Sequence, residues 1–127
     1  MNKKDIIQRL GELNFSKKEY WVIAGSAMVL HGFREETHDI DLGCTTMLAD
    51  QLQQCYPCQI LPDKTRKITI ANDIEIFENW LYDKIMFIEG IPVISSYGLL
   101  EMKKSMGREK DLADIRLIQS DIETAGS

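Results

Sequence analysis

The chain has 127 residues, 44% of them apolar and 28% charged, and a net charge of −5, which predicts a single domain, 1–127, built on one core. The negative balance excludes broad, sequence-blind binding to a nucleic-acid backbone, which needs a cationic face, but allows a nucleotide held by metal and a few local donors. No stretch is long and apolar enough to span a bilayer and no charged-then-apolar leader opens the sequence, so a soluble cytoplasmic protein is expected.

Ile6, Ile7, Leu10 and Leu13 recur at helical spacing and predict an amphipathic helix over Lys3–Leu13. Tyr20–Ala24 is an aromatic and β-branched run, a short buried strand. Gly25-Ser26 breaks it, and Ala27–His31 are helix formers that stop at Gly32. After the polar loop Phe33–His38 comes Asp39-Ile40-Asp41-Leu42, which alternates with period two. This predicts a strand with both aspartates on one face and Ile40 and Leu42 on the other. Met47–Cys55 reads as a further helix. Arg66–Ala71 and Ile74–Phe77 read as strands joined by a turn at Asn72-Asp73. Glu78–Ile88 is compatible with helix or strand. Pro92–Ile94 is another short strand, and helices follow over Tyr97–Ser105 and from Glu109 to about Ser120, with Gly107 between them. Thr124–Ser127 is small and polar, a frayed tail. Interleaved strands and helices with a hairpin make the class α+β, or layered α/β: a small mixed sheet with flanking helices.

Three cysteines is an odd number, which fits reduced thiols better than a disulfide framework. Cys55-Tyr56-Pro57-Cys58 is a C-x-x-C, but it follows a helix and leads into a strand, unlike a thioredoxin-type redox site. A zinc site needs four ligands, and Cys44, His31 and His38 are isolated in sequence. The pair is therefore expected to be structural.

Three features carry chemistry. The first is the strand–Gly25-Ser26–helix junction. A glycine admits backbone N–H groups close to a ligand, the helix start behind it favours phosphate, and Ser26 can add a hydroxyl donor. Its plainer reading is a bend and a helix cap. The second is Asp39-x-Asp41. Two carboxylates two apart on a strand point the same way, about 6–7 Å apart along it, and can close on one or two hard cations. Like charges on one strand face repel without such a cation, although a solvated edge strand tolerates them. The third is Ile74-Glu75-Ile76, whose carboxylate reaches the same cations if that strand lies beside the aspartate strand. Otherwise Glu75 is an ordinary outward-facing residue. Asp73 shares its face but falls at the expected turn.

These residues carry a resemblance. Gly25-Ser26, twelve residues, Asp39-Ile40-Asp41-Leu42 and then Ile74-Glu75-Ile76 resemble the nucleotidyltransferase superfamily of DNA polymerase β type, with its hG[GS] turn, h[DE]h[DE]h strand and third h[DE]h acid. The tail is similar to that of the AbiEii-like minimal nucleotidyltransferases, often found as toxin–antitoxin or orphan bacterial proteins. It runs Pro92-Val93-Ile94-Ser95, Leu99-Leu100-Glu101-Met102-Lys103, then Gly107-Arg108-Glu109-Lys110-Asp111-Leu112-Ala113-Asp114-Ile115. The resemblance implies a nucleotidyltransferase-like fold. It also implies transfer of a nucleoside monophosphate from an NTP to an acceptor, with pyrophosphate leaving. Asp39 and Asp41 would hold the Mg²⁺ or Mn²⁺ that binds the triphosphate. Glu75 would help bind a second metal and activate the acceptor hydroxyl.

Among the basic residues, Lys103 is the candidate for a phosphate contact. Arg108 and Lys110 are expected to pair with Asp111 or Asp114 and tie the last two helices together. Arg34 either reaches phosphate or acceptor, or is a solvated loop charge beside Glu35 and Glu36. Characterised relatives carry a further domain that holds the acceptor, for which 127 residues leave no room. The acceptor (a small molecule, a protein or an RNA end) would then bind an exposed cleft, or come with a partner protein or a second subunit. The competing reading is a binding module, an antitoxin or scaffold that keeps the fold with catalysis weak or lost.

Overall fold

The computed structural model describes residues 1–80 and 84–125. Part of the stretch read as helix or strand, 81–83, and the last two residues of the expected frayed tail lie outside the described residues. Along the chain run α1 (Lys3–Leu13), β1 (Tyr20–Ile23), α2 (Ala24–Leu30), β2 (Ile40–Cys44), α3 (Thr46–Leu52) and β3 (Cys58–Ile60). They are followed by β4 (Arg66–Ile70), β5 (Ile74–Glu78), β6 (Ile85–Ile88), β7 (Ile91–Ile94), α4 (Ser96–Met106), a 3-10 turn (Glu109–Asp111) and α5 (Leu112–Ala125).

The helix ends follow from local chemistry. Asn2 opens α1 with a reciprocal cap: its side chain accepts from Asp5 N at 2.9 Å, and the Asp5 carboxylate accepts from Asn2 N at 3.0 Å. Ser95 caps α4 by accepting from Gly98 N at 3.2 Å, and Gly107 ends it in the left-handed conformation, φ +59°. The last helix runs on through Thr124 to Ala125, past the point where the sequence suggests fraying, because Ile118 is fully buried and Ile122 packs against the core.

The described strands form one mixed sheet in the order β3-β4-β5-β2-β1-β7-β6. β2 lies parallel to β5 and antiparallel to β1, β1 lies parallel to β7, and the remaining neighbours are antiparallel. α2 packs on β1, β2 and β7, α1 and α4 pack against α2, α3 sits on β4, and α5 packs on α4. Such interleaving, with helices laid on a mixed sheet, is α+β as expected.

Burial alternates along the central strands. Ile40, Leu42, Ile68, Ile70, Ile74 and Ile76 are buried, and the register aligns them on one face: Ile40 faces Ile74, Leu42 and Ile68 face Ile76, and Ile70 faces Ile74. The opposite face carries Asp41, Glu75, Thr69, Lys67 and Phe77, all partly exposed. At its far end the Trp21 indole lies across Gly43, where a Cβ would come within 2.1 Å of Nε1. Trp21 Nε1 donates to Trp80 O at 2.6 Å, and Trp80 stacks on Phe77 with ring centroids 4.5 Å apart. This aromatic cover closes one end of the face and leaves the carboxylate end open.

One polar assembly sits at the edge of the buried face. Arg66 is 13% exposed and donates from Nη2 to Glu78 Oε2 and from Nη1 to Asp50 Oδ1, both at 2.7 Å. It also donates to Gln53, the residue that caps the C-terminal end of α3, at 3.1 Å. No helix among the described residues is long and apolar enough to cross a membrane.

Candidate active site

The parallel pairing of β2 with β5 places Asp41 directly opposite Glu75. Asp39 precedes β2 by one residue and is exposed, so it sits at the mouth of the strand instead of within it, a small correction to the expected strand. Burial pushes the Asp41 carboxyl up to about 6, with the negative charges of Glu75 and then Asp39 adding to the effect and Lys67 opposing it. The three acids therefore share one electrostatic neighbourhood. Asp73 is elsewhere: Arg9 of α1 binds it, Nε to Oδ2 at 2.8 Å and Nη2 to Oδ1 at 3.3 Å.

Among the described residues, no three His, Cys, Asp or Glu side chains already converge as a metal cage, and Glu75 turns instead to Lys67, 3.3 Å away. The donor set nevertheless fits a hard divalent cation. It consists of carboxylate oxygens on neighbouring chain segments, and beyond burial the negative charges of Glu75 and Asp39 raise the Asp41 pKa, an effect that a cation among the three would oppose.

Ser26 is placed differently from the expected phosphate donor. It is fully buried, and its hydroxyl lies 2.8 Å from Ile23 O and 3.3 Å from Asp41 O while accepting from Asp41 N at 3.1 Å. The hydroxyl is committed to the backbone, and its effect is to tie the β1–α2 turn to Asp41. Gly25 does not make the bend either, because the left-handed residue there is Ala24, φ +56°. For a residue with a Cβ that conformation costs about 1–2 kcal/mol. Gly25 is required by close approach instead: a Cβ would meet Thr37 Oγ1 at 2.9 Å and Arg34 Nη1 at 3.2 Å.

Asp41 and Gly25 border a cleft of about 460 Å³, whose other walls come from Arg34, the end of α4 and the start of α5. A chain of alternating charges runs along it. Arg34 Nη2 binds Asp114 Oδ2 at 2.9 Å, and Lys103 Nζ bridges Asp114 at 3.1 Å and Asp111 at 3.2 Å. Arg108 grips Asp111 through Nε at 2.6 Å and Nη2 at 3.1 Å. The Arg108 hydrogen bond, with Lys103 behind it, holds the Asp111 carboxyl below the usual carboxylate range.

Lys103, expected on phosphate, is thus a buried cation enclosed by two aspartates. Arg34 is an exposed loop charge whose partner is Asp114. Arg108 pairs with Asp111 as expected, whereas Lys110 lines the cleft and makes no ion pair among the described residues. Lys67 was missed from the sequence. Its signal is the hairpin register: with a turn at Asn72-Asp73, Thr69 faces Glu75 and Lys67 faces Phe77, so Lys67 lies diagonal to the third acid.

Cys55 and Cys58 are exposed free thiols around the turn into β3. Replacing both by serine is expected to change stability by no more than about 0.5 kcal/mol, the usual range for surface positions. Stoichiometric zinc in the purified protein, lost in the double variant, would show them to be ligands.

No protein-family model and no curated protein matches the chain. Among solved structures it is similar to the "putative nucleotidyltransferase (TM1012) from Thermotoga maritima", with 16% identity, 95% of this chain and 96% of that chain covered, and a TM-score of 0.64. At that identity the likeness speaks for the fold and not for the activity: the chain has a nucleotidyltransferase-like α+β fold.

Proposed function

We propose that the chain is a minimal, AbiEii-like nucleotidyltransferase that moves a nucleoside monophosphate from an NTP to an acceptor hydroxyl with Mg²⁺ or Mn²⁺. The observation that carries this reading is the β2–β5 register, which sets Asp41 against Glu75 with Asp39 at the strand mouth. Asp39, Asp41 and Glu75 supply the hard oxygen ligands. Bound cations would neutralise triphosphate charge and stabilise the entering and leaving oxygens of an in-line displacement. Gly25 lines the cleft, and Arg34 and Lys110 offer positive charge from its wall. Lys103 acts from beneath, pinning Asp111 and Asp114 and with them the start of α5. In the reaction the acceptor oxygen bonds to the α-phosphorus while its proton passes to Glu75. The bond from the α-phosphorus to the bridging oxygen breaks, and pyrophosphate leaves.

A second reading is a binding module, an antitoxin or scaffold without turnover. It is favoured by the internal pairing of Arg34, Lys103 and Arg108, whose charges are already met by Asp114 and Asp111. Thermal denaturation with each NTP, with and without Mg²⁺, tests the nucleotide site. A ligand bound only by the folded chain adds about 2.7 kcal/mol at a hundredfold excess over its Kd, so an upward shift that needs the metal is expected for at least one NTP. The absence of any metal-dependent shift at millimolar nucleotide would remove the site.

A further inference from the structure

Lys67 is the cation that the sheet itself delivers to the acids. It projects from β4 on the face that carries Asp41 and Glu75, with Nζ 3.3 Å from Glu75 Oε1 and 5.9 Å from the centroid of the Phe77 ring. An ammonium group so placed does for a carboxylate cluster, electrostatically, what a bound cation would do. We propose that Lys67 is a built-in counter-ion that holds Glu75 in the metal-free chain, yields it to an incoming divalent cation, and so sets the metal affinity of the site. The inference rests on the nucleotidyltransferase reading of the acids and makes Lys67 a positioning residue, acting through Glu75.

Three features suit the contact to release. The side chains are 26% and 41% exposed, so water screens the pair and the attraction is weak. Lysine ends in a compact charge on a flexible stem, without the planar fork by which arginine holds a carboxylate bidentately. Phe77 offers the ammonium a second resting place, since its ring lies at the edge of the range over which a cation is drawn to an aromatic face. Leaving Glu75 does not strand the lysine.

The test is a Mn²⁺ titration of the wild type, Lys67→Met and Lys67→Arg, followed by calorimetry, together with melting temperatures in EDTA. Removing a competing unit charge at this distance is expected to tighten Mn²⁺ binding about tenfold in Lys67→Met. The same variant should melt lower than wild type in EDTA, because its acids then lack any offset. Lys67→Arg should bind Mn²⁺ no more tightly than wild type. A Lys67→Met protein that melts lower but keeps wild-type Mn²⁺ affinity would reduce Lys67 to a structural partner and overturn the inference, while the acid site stood. If none of the three proteins bound Mn²⁺ at millimolar levels, the metal reading of the acids would fall as well.

Discussion

Asp39→Asn, Asp41→Asn and Glu75→Gln are each expected to lower nucleotide transfer by about a hundredfold or more while leaving the protein folded and no less stable. The substitutions are nearly isosteric and remove one negative charge from a set in which Glu75 and Asp39 already raise the Asp41 pKa. Loss of a metal ligand removes charge stabilisation that is made mainly in the transition state, so activity and stability should move in opposite directions. Asp41 makes the contrast measurable. Its folded-state pKa of about 6 lies above the usual 3.8, so its contribution to stability is fully present below pH 4 and is lost as pH rises through 6. In EDTA the Asp41→Asn protein should therefore melt above wild type at pH 7 and lose that advantage near pH 4. Retention of wild-type transfer by all three variants would end the metal-site reading. Full activity in Glu75→Gln alone would remove only the third acid.

Arg66→Met is expected to destabilise the fold by about 3 kcal/mol or more, the scale for stripping one partner from a largely buried ion pair. Glu78 is only 9% exposed, and Arg66 satisfies it through Nε, Nη2 and its own backbone N. Without the guanidinium a carboxylate is left inside the α3–β4 layer. The Arg66 hydrogen bonds hold the Glu78 pKa down to about 2 from its usual 4.5. That contribution is present above pH 4.5 and is lost as pH falls toward 2, a window on the acid side of the Asp41 one. Urea unfolding at pH 7 measures the loss. Adding Glu78→Met should recover much of it, because removing both charges also removes the desolvation penalty. A loss below 1 kcal/mol in Arg66→Met would show that water reaches Glu78 and that the hub is peripheral.

The elements that sequence reveals best are those whose burial has a period. Ile6 and Leu10 mark α1 with its bounds, and alternation marks β2, β4 and β5. The turn at Asn72-Asp73 fixed the β4–β5 pairing, and Glu75 took its place opposite Asp41. What stayed hidden depends on three-dimensional neighbours. Ser26 looks the same in sequence whether its hydroxyl faces a ligand or Asp41 N, and a lysine at 103 does not announce that Asp111 and Asp114 will enclose it. β6 was illegible because Ile85–Ile88 shows no alternation: two of its residues are exposed and two are partly buried at the sheet's edge. The α2 start moved to Ala24 because a non-glycine residue took the positive φ, which propensity argues against.

The parallel register of β2 and β5 has a consequence for how this chain can fail. Slipped by one residue, the pairing would turn Asp41 or Glu75 into the core and put isoleucines in water. Each such isoleucine forfeits about 1.5–3 kcal/mol of burial, and each buried carboxylate costs several kcal/mol, together enough to unfold a domain of this size. Assembly of the acids is thus proof-read by the oily side of the same strands. A one-residue slip that misaligns the acids is penalised by the core as well, and damage to the core should show up as fewer folded molecules.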